Sequence, residues 1–292
     1  MTYFSDRELG EKERSTEEIS PTVWGGIAVL LRKAISSSHL AESFPFDCPD
    51  GEGNAGVDEH NLNLAISADI PDFEVPIRSQ ELPDQMSILD LIEFFYQHMS
   101  DVIEVKFHGY YSHHHFSFPE SYEVREEFRI NINRIFSRNG VAFEITVNGT
   151  VERIVPSEFN TLLKSTSFDT GDVYIDQLMT EARKHFISPG PESLQASVEK
   201  LWDAFERLKT VHSDVDKRRS IVRLIGQAVT EENFREIIES ESVLLTEIGN
   251  RFRIRHSETS QVELESKDHK EYLFYRLFSL VILLTKATNR TK

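Results

Sequence analysis

Residues 191–211 read PESLQASVEKLWDAFERLKTV, and this stretch decides the fold of the second half of the chain. Its apolar side chains recur at helical steps: Leu194, Val198, Leu201, Trp202, Phe205 and Leu208. This spacing places them on one face of an α-helix, so the stretch predicts a long helix that packs against partners. Residues 188–191 read SPGP, which ends a preceding helix and favours a new helix start.

The segments around this stretch have the same helical pattern. Four further helices are predicted here: residues 172–187, 216–230, 232–250 and 269–287. The connections between them are short, which is typical of antiparallel neighbours in an up-down helical bundle. The most apolar segment, residues 272–287, contains Arg276 and is shorter than the ~20 residues that cross a bilayer. It therefore predicts a buried bundle helix.

The first half of the chain predicts helices and one hairpin. Three amphipathic helices are expected: residues 21–38, 88–102 and 123–138. Residues 141–154 alternate apolar and polar side chains around Asn148-Gly149, a dipeptide that suits a tight hairpin turn. Residues 46–61 are rich in Gly, Asp and Glu and predict a loop.

The fold class is therefore mainly α with a small β-hairpin. A polar segment that ends at Thr170-Gly171-Asp172 marks the boundary between two domains. The prediction is an α+β domain over residues 1–168, followed by an all-α helical bundle over residues 169–292.

The charge is unevenly distributed along the chain. The net charge is −17, from 32 Lys and Arg against 49 Asp and Glu. Residues 1–165 hold 13 of these basic and 28 of these acidic side chains, whereas residues 166–292 hold 19 and 21. An acidic surface disfavours coating a membrane or a long nucleic-acid duplex. We expect the acidic domain to act as a sensor, a regulator or the docking surface for a protein partner.

The chain carries a single cysteine, Cys48, and its first residues are polar. One cysteine cannot form an internal disulfide, and a polar start lacks the apolar core of a secretory signal. These features predict a cytoplasmic protein without membrane contact. No nucleotide-binding glycine motif and no Ser-His-Asp pattern occurs, and no cofactor is expected.

The segment with the clearest chemical potential is residues 250–258, which read NRFRIRHSE. Its arginines alternate with Phe252 and Ile254, which suggests an extended piece with the guanidinium groups on one side. A continued helix would instead place Arg253 and His256 on one face. Either geometry brings arginine close to an imidazole.

This pairing suits RNA cleavage without a metal ion. A histidine can transfer protons near neutral pH, and the charged fork of an arginine can bind two phosphate oxygens. One histidine per chain is too few to supply both the acid and the base of the reaction. A site shared across a two-fold dimer is therefore the natural arrangement. The alternative is that these arginines form surface ion pairs with the glutamates of the preceding helix.

Two other groups of residues are candidates for binding. Lys217, Arg218, Arg219 and Arg223 open a predicted helix and are either a phosphate-binding track for RNA or a solvated face. The three residues 113–115 are all histidine and predict a polar loop, because adjacent side chains cannot all point to one ion. No metal site is expected there or in residues 46–61, and a metal-dependent enzyme is the weakest alternative.

Several segments resemble a known family of proteins. The segments in the second half are residues 201–209 (LWDAFERLK), residues 251–258 and the final aromatic and aliphatic helix. They resemble the HEPN superfamily, and in particular the HEPN region of AbiJ-type abortive-infection proteins. Those in the first half are residues 3–7 (YFSDR), 48–51 (CPDG) and 128–133 (FRININ). They are similar to the AbiJ N-terminal domain.

The resemblance implies a two-domain antiphage or toxin-type protein whose HEPN-like bundle forms a homodimer and cuts RNA without a metal. Arg251 corresponds to the motif arginine and His256 to the motif histidine. Arg253 and Arg255 are rivals or helpers of Arg251, and Glu258 would orient the imidazole.

The residue after the motif arginine departs from the family pattern. Active members often have a polar residue there, whereas this chain has Phe252. The alternative is therefore a catalytically inactive HEPN module that dimerises and binds a partner in a defence complex.

Overall fold

The structure, a computed structural model, describes residues 3–190, 192–212, 216–252, 254 and 262–287. Backbone contacts divide the chain into two compact units, residues 1–154 and residues 155–292, and each is described by itself. The division falls before the boundary expected from the sequence, because residues 155–168 pack into the second hydrophobic core.

The first unit combines helices with two small antiparallel sheets. Its helices in the described residues are α1 Phe4–Leu9, α2 Pro21–Ser36, α3 Glu59–Asp69, α4 Gln85–His98 and α5 Glu123–Asn139. Its strands are β1 Pro45–Asp47, β2 Asn54–Val57, β3 Ile103–His108, β4 His113–Ser117, β5 Phe143–Ile145 and β6 Val151–Arg153. The predictions of α2, α4 and α5 are confirmed, with small differences at their ends.

The core of the first unit forms between α2, α4 and α5. Trp24, Ile92 and Phe136 are fully buried there. The indole N–H of Trp24 donates to the Arg78 carbonyl at 3.0 Å, so its one polar atom is satisfied inside the core.

The predicted hairpin is confirmed as β5 and β6, which pair antiparallel around the Asn148-Gly149 turn. Gly149 has φ +83, and a Cβ on it would overlap the ring of Tyr96. The Tyr96 hydroxyl donates to the Val147 carbonyl at 2.8 Å. This turn therefore needs glycine both for its backbone angle and for the close approach of α4.

The second sheet corrects two predictions. Strands β1 to β4 form a four-stranded antiparallel sheet in the order β1-β2-β4-β3. The predicted loop over residues 46–61 is wrong, since it contains β1, β2 and the start of α3, and the predicted polar loop over residues 113–115 is strand β4. Strands β1, β2 and β4 were missed because they are short and lack a clear apolar alternation. Strand β3 does alternate, through Ile103, Val105 and Phe107, and was missed although this pattern predicts a strand.

The second unit is all helical in the residues that the structure describes. Its helices are α6 Ser157–Ser165, α7 Val173–Ile187, α8 Ser193–Leu208, α9 Lys217–Ala228, α10 Glu232–Arg251 and α11 Lys267–Ala287. The five predicted helices are confirmed as α7 to α11. Helix α6 was not predicted, because its segment is mostly polar in sequence.

The core of the second unit contains the apolar stripe of α8. Trp202 and Phe205 are fully buried, as the spacing predicts. Phe186 of α7 stacks on Phe274 of α11 with ring centroids 4.0 Å apart. This stacking fixes α11 against α7 through flat aromatic surfaces.

Helix α11 accommodates its internal charge with an ion pair. The guanidinium of Arg276 donates to both carboxylate oxygens of Glu241 on α10, at 2.6 and 2.7 Å. The hydrogen bonds to Glu241 raise the pKa of Arg276 above its usual value. None of the helices in the described ranges is both long and apolar enough to cross a membrane.

Helix α10 lies very close to α8 at Gly249. The Trp202 indole N–H donates to the Leu245 carbonyl at 3.1 Å. A Cβ on Gly249 would lie 2.5 Å from Cδ1 of that indole, well inside van der Waals contact. The two helices can therefore pack at this distance only because residue 249 has no side chain.

We expect Gly249→Ala to lower the free energy of unfolding by about 1–3 kcal/mol, since the methyl group must displace the indole or the helix. Chemical denaturation of the full chain measures this change. The matched control is Gly226→Ala on α9, where no atom lies within 4 Å of the added Cβ. The control should be unchanged or more stable by up to about 1 kcal/mol, because alanine favours helix. Equal effects of both substitutions would contradict the close-packing explanation.

Candidate functional site

Helix α10 ends at Arg251, the first arginine of the predicted catalytic segment. Phe252 is extended, with φ −93 and ψ 155, and its N–H donates to the Ile248 carbonyl. The Val262 N–H then donates to the Arg251 carbonyl at 3.2 Å, and Phe252 forms an isolated parallel bridge with Val262. The helix therefore stops at Arg251, which excludes the geometry with a continued helix.

The residues after the helix end are held by apolar burial. Ile254 is 1% exposed in the second core, and Phe252 packs against that core while partly exposed. Arg251 is exposed, and its guanidinium lies 6.0 Å from the centre of the Phe252 ring. Burial on the apolar side leaves Arg251 directed towards solvent at the end of the helix.

The partners expected for Arg251 fall on residues that are not described. Arg253, Arg255, His256 and Glu258 lie outside the described residues. Within the described part of the chain, Arg251 forms no ion pair with an α10 glutamate. The alternative from the sequence, surface ion pairs between the arginines of this segment and the α10 glutamates, stays a prediction for Arg253 and Arg255, which are not described.

Helix α9 presents the predicted basic residues to solvent. Lys217, Arg218, Arg219 and Arg223 are all exposed, and the opposite face of the helix is buried. The Asp216 carboxylate caps the helix by accepting from the Arg219 N–H at 2.9 Å. Three cations in the first turn oppose the helix dipole, so helix stability does not account for their presence.

A second group of functional side chains meets in the first unit. Cys48, His108, His113 and His115 each offer one ligand atom, and these atoms all lie within 4.8 Å of one another. We call these four residues the Cys-His cluster. Sequence reasoning missed it because it considered adjacent histidines alone. The usable signal was the period of two that places His113 and His115 on one face of a strand.

The Cys-His cluster contains buried polar atoms without hydrogen bonds. Nδ1 of His108, Nε2 of His113 and Nε2 of His115 are buried, and none has a hydrogen-bond partner among the described residues. Leaving one buried polar atom unsatisfied costs about 1–3 kcal/mol. Three such atoms at one place therefore call for a partner that the protein groups around them do not supply.

The cysteine of the cluster interacts with a neighbouring carboxylate. Burial raises the pKa of the Cys48 thiol, and its hydrogen bond to Asp50 raises this pKa further. The same hydrogen bond, followed by the Glu52 N–H, lowers the pKa of Asp50. The hydrogen bond thus favours a protonated Cys48 thiol beside an ionised Asp50 carboxylate.

The hairpin of β3 and β4 is closed at its base by Asp101. Its carboxylate accepts from the Ser121 hydroxyl at 2.6 Å and from the N–H groups of Glu123 and Val124 at 2.9 and 3.0 Å. Helix α5 has no side-chain cap from its own N-cap residue, Tyr122. Asp101 therefore caps α5 from a distance and ties both ends of the hairpin segment together.

Comparison with known proteins assigns the first part of the chain to a family. Residues 2–168 match the family model for AbiJ N-terminal domain 4, which covers more than half of the chain. The chain therefore belongs to the AbiJ N-terminal domain 4 family. This membership suggests a context of abortive-infection defence. No curated protein and no solved structure matches the chain.

Replacing Asp101 should weaken the base of the hairpin. We expect Asp101→Ala to lower the free energy of unfolding by about 1–2 kcal/mol, because the start of α5 loses its cap. Asp69→Asn, an exposed carboxylate on α3, is the control and should change stability by less than about 0.5 kcal/mol.

The effect of Asp101→Ala should also depend on pH. Burial opposes ionisation of Asp101, but hydrogen bonds from Ser121, Val124 and Glu123 lower its pKa overall. A lowered pKa in the folded state stabilises the fold above the unfolded pKa of about 4, and this contribution is lost as the pH falls further. The difference between wild type and variant should therefore stay constant down to about pH 4 and shrink as the pH falls further, through the lowered pKa of Asp101. A difference that stays constant well below that pH would contradict the capping role.

Proposed function

We propose that this protein is an effector of abortive-infection defence that cuts RNA without a metal ion, through a HEPN-like bundle with Arg251 and His256 in its active site. The observation that carries the proposal is the exposed Arg251 at the end of α10, directly before the segment that contains His256. Arg251 lies in an all-helical unit that follows an AbiJ N-terminal domain.

The chemistry assigns separate roles to the two side chains. A base removes the proton of a ribose 2′-hydroxyl, whose oxygen attacks the adjacent phosphorus. An acid gives a proton to the departing 5′-oxygen, which leaves a cyclic phosphate and a free hydroxyl. His256 suits proton transfer, and Arg251 suits the charged phosphate in the transition state, with Arg253 or Arg255 as helpers. Glu258 would orient the imidazole.

Two copies of the chain would supply the acid and the base. One histidine from each bundle can meet across a two-fold axis, so that one imidazole begins neutral and the other protonated. The exposed cations of α9 would bind RNA phosphates near this dimer. The acidic first unit would regulate the site or bind a protein partner.

A non-catalytic role is the second candidate, and Phe252 favours it. This side chain follows Arg251 directly and packs against the second core. It therefore offers no polar group to a phosphate. In that case the bundle would supply only a dimer interface within a defence complex.

Substitution of the motif residues should abolish RNA cleavage. We expect His256→Ala and Arg251→Ala each to slow cleavage of transfer RNA and of an unstructured RNA by at least about 100-fold. Gel electrophoresis of labelled RNA measures the rate, with and without EDTA. The control is His60→Ala, an exposed histidine on α3, which should keep the wild-type rate.

The outcomes separate the two candidate functions. Equal cleavage by wild type and His256→Ala would overturn the ribonuclease proposal, as would activity that EDTA abolishes while the fold persists. A dimeric mass in solution without RNA cleavage, and without toxicity on overexpression, would support the dimerisation module.

Reversal of the α9 charges should weaken RNA binding. We expect the triple variant Lys217→Glu, Arg218→Glu and Arg223→Glu to bind RNA more weakly and to show a shallower salt dependence. Each lost phosphate contact reduces that slope by about 0.7 for single strands. The control reverses three exposed cations of the first unit, Lys12, Arg32 and Lys33. Equal slopes in both variants would exclude α9 as the RNA-binding track.

A further inference from the structure

We propose that the Cys-His cluster is a structural zinc site that joins the turn after β1 to the hairpin of β3 and β4. The four ligands would be the thiolate of Cys48 and one imidazole nitrogen from each of His108, His113 and His115. This inference concerns the first unit alone and does not depend on the ribonuclease proposal.

The hairpin brings its histidines together through strand register. His108 and His113 face each other as paired residues at the end of β3 and the start of β4. His115 follows His113 by two residues and therefore points to the same face of the sheet. His114 points to the other face, where its Nδ1 lies 3.3 Å from a carboxylate oxygen of Glu104.

A tight turn presents the cysteine to this hairpin. The Cys48 N–H donates to the Gly53 carbonyl, and the Gly51 N–H donates to the Cys48 carbonyl, both at 2.8 Å. Gly51 has φ +75 and Gly53 has φ +150, and residues with a side chain rarely adopt these backbone angles. A Cβ on Gly53 would lie 3.5 Å from Nδ1 of His115, so the turn passes directly over that ring.

The spacing of the three rings fits a tetrahedral ion. Their centroids form a nearly equilateral triangle, with sides of 5.6, 5.5 and 5.4 Å. A zinc–nitrogen bond of about 2.0–2.1 Å and tetrahedral angles would separate such centroids by about 5.2 Å. The ring centroids would therefore approach one another by only a few tenths of an ångström. The ligand atoms, which lie within 4.8 Å of one another, would close to the roughly 3.3–3.6 Å that tetrahedral bonds require, chiefly by rotation of the side chains.

The unpaired nitrogens identify the atoms that would face the ion. Nε2 of His108 lies 2.9 Å from Oδ2 of Asp50, so an N–H at Nε2 donates to this carboxylate and leaves Nδ1 with its lone pair. Nδ1 of His108 is one of the buried atoms without a hydrogen-bond partner in the described part of the chain. A carboxylate that holds the far nitrogen of a histidine ligand is the usual second partner in zinc sites.

The ligand set favours zinc and a structural role. One thiolate with three imidazoles matches the sulfur and nitrogen ligands that zinc prefers, and four protein ligands leave no open position for a substrate. When the zinc–sulfur bond forms, the Cys48 thiol releases its proton to solvent. The site would therefore be more stable at neutral than at acidic pH.

The sheet of β1 to β4 has little apolar burial, so a bound metal ion would stabilise it. Of the residues in β1 to β4, all of which the structure describes, His115 alone is buried. The sheet thus has a histidine where a small sheet ordinarily buries an apolar side chain. Metal bonds are the common substitute for a hydrophobic interior in such small elements.

Ring stacking alone does not explain the Cys-His cluster. Tyr111 stacks on His113 with an angle of 6° between the rings, and it covers one side of the cluster. Stacking uses ring faces and leaves the three buried nitrogens without partners. A metal ion satisfies all three at once, and it also uses the thiol.

Zinc content and cobalt spectra test the proposal. The full chain is purified, desalted into metal-free buffer and analysed for zinc by mass spectrometry, and the apo protein is titrated with Zn²⁺ against a competing indicator. We expect about one zinc per chain. The Co²⁺-loaded protein should show thiolate-to-metal charge transfer, and Cys48→Ser should lose this absorption.

The adjacent histidines give a matched pair of variants. His113→Asn and His115→Asn should weaken zinc binding by at least about 100-fold, whereas His114→Asn should remain within about threefold of wild type. Thermal unfolding provides a second measurement, since Zn²⁺ should raise the melting temperature of wild type and of His114→Asn but not of His113→Asn.

Asp50 is a positioning residue, and its substitution has a graded effect. Asp50→Asn should keep the one-to-one stoichiometry and weaken zinc binding by about 10–100-fold. Glu52→Gln in the same turn is the control, because the Glu52 carboxylate pairs with Lys106 at 2.8 Å and acts on Cys48 and His108 only through its charge.

Three results would overturn the zinc site. The first is an apo protein that takes up no Zn²⁺ while circular dichroism shows the wild-type fold. The second is equal loss of zinc in His114→Asn and His113→Asn. The third is zinc uptake that persists unchanged in both Cys48→Ser and His113→Asn.

Discussion

The burial of apolar side chains in two separate cores is the interaction on which the rest of the structure depends. Within each core, helices are positioned by large side chains such as Trp24 and Trp202, whose indole N–H groups reach backbone carbonyls. The side chains of the two candidate sites lie at the edges of these cores. The Cys-His cluster lies in a sheet that the first core does not fill, and Arg251 lies where α10 leaves the second core.

The two candidate sites are held in place by different forces. Arg251 is placed by packing, because Gly249 lets α10 approach α8 and Ile254 anchors the chain just beyond the helix. The histidine hairpin has little apolar support, and hydrogen bonds to Asp101 close its base. Bonds to a metal ion would stabilise the hairpin where apolar packing does not. The AbiJ N-terminal domain would then owe part of its stability to an ion.

Sequence patterns predicted the parts of the fold that apolar periodicity specifies. The stripe through Trp202 and Phe205 identified a buried helix, and Asn148-Gly149 identified the hairpin turn. The four-stranded sheet was missed because β1, β2 and β4 are short and β4 buries a histidine in place of an apolar residue, although β3 carries an alternating apolar pattern. Arg251 could be placed at a helix end from sequence, but the outward direction of its side chain depended on the burial of Ile254.

The sequence alone determined the class of fold, the two-part organisation and the location of the Arg and His segment, because these follow from local spacing and composition. Only the tertiary structure brought Cys48 and His108 to His113 and His115, whose shared face follows from the period of two once residues 113–115 form a strand. The physical reason is that a ligand cluster depends on strand register and on turns distant in sequence, and neither leaves a periodic pattern in the chain.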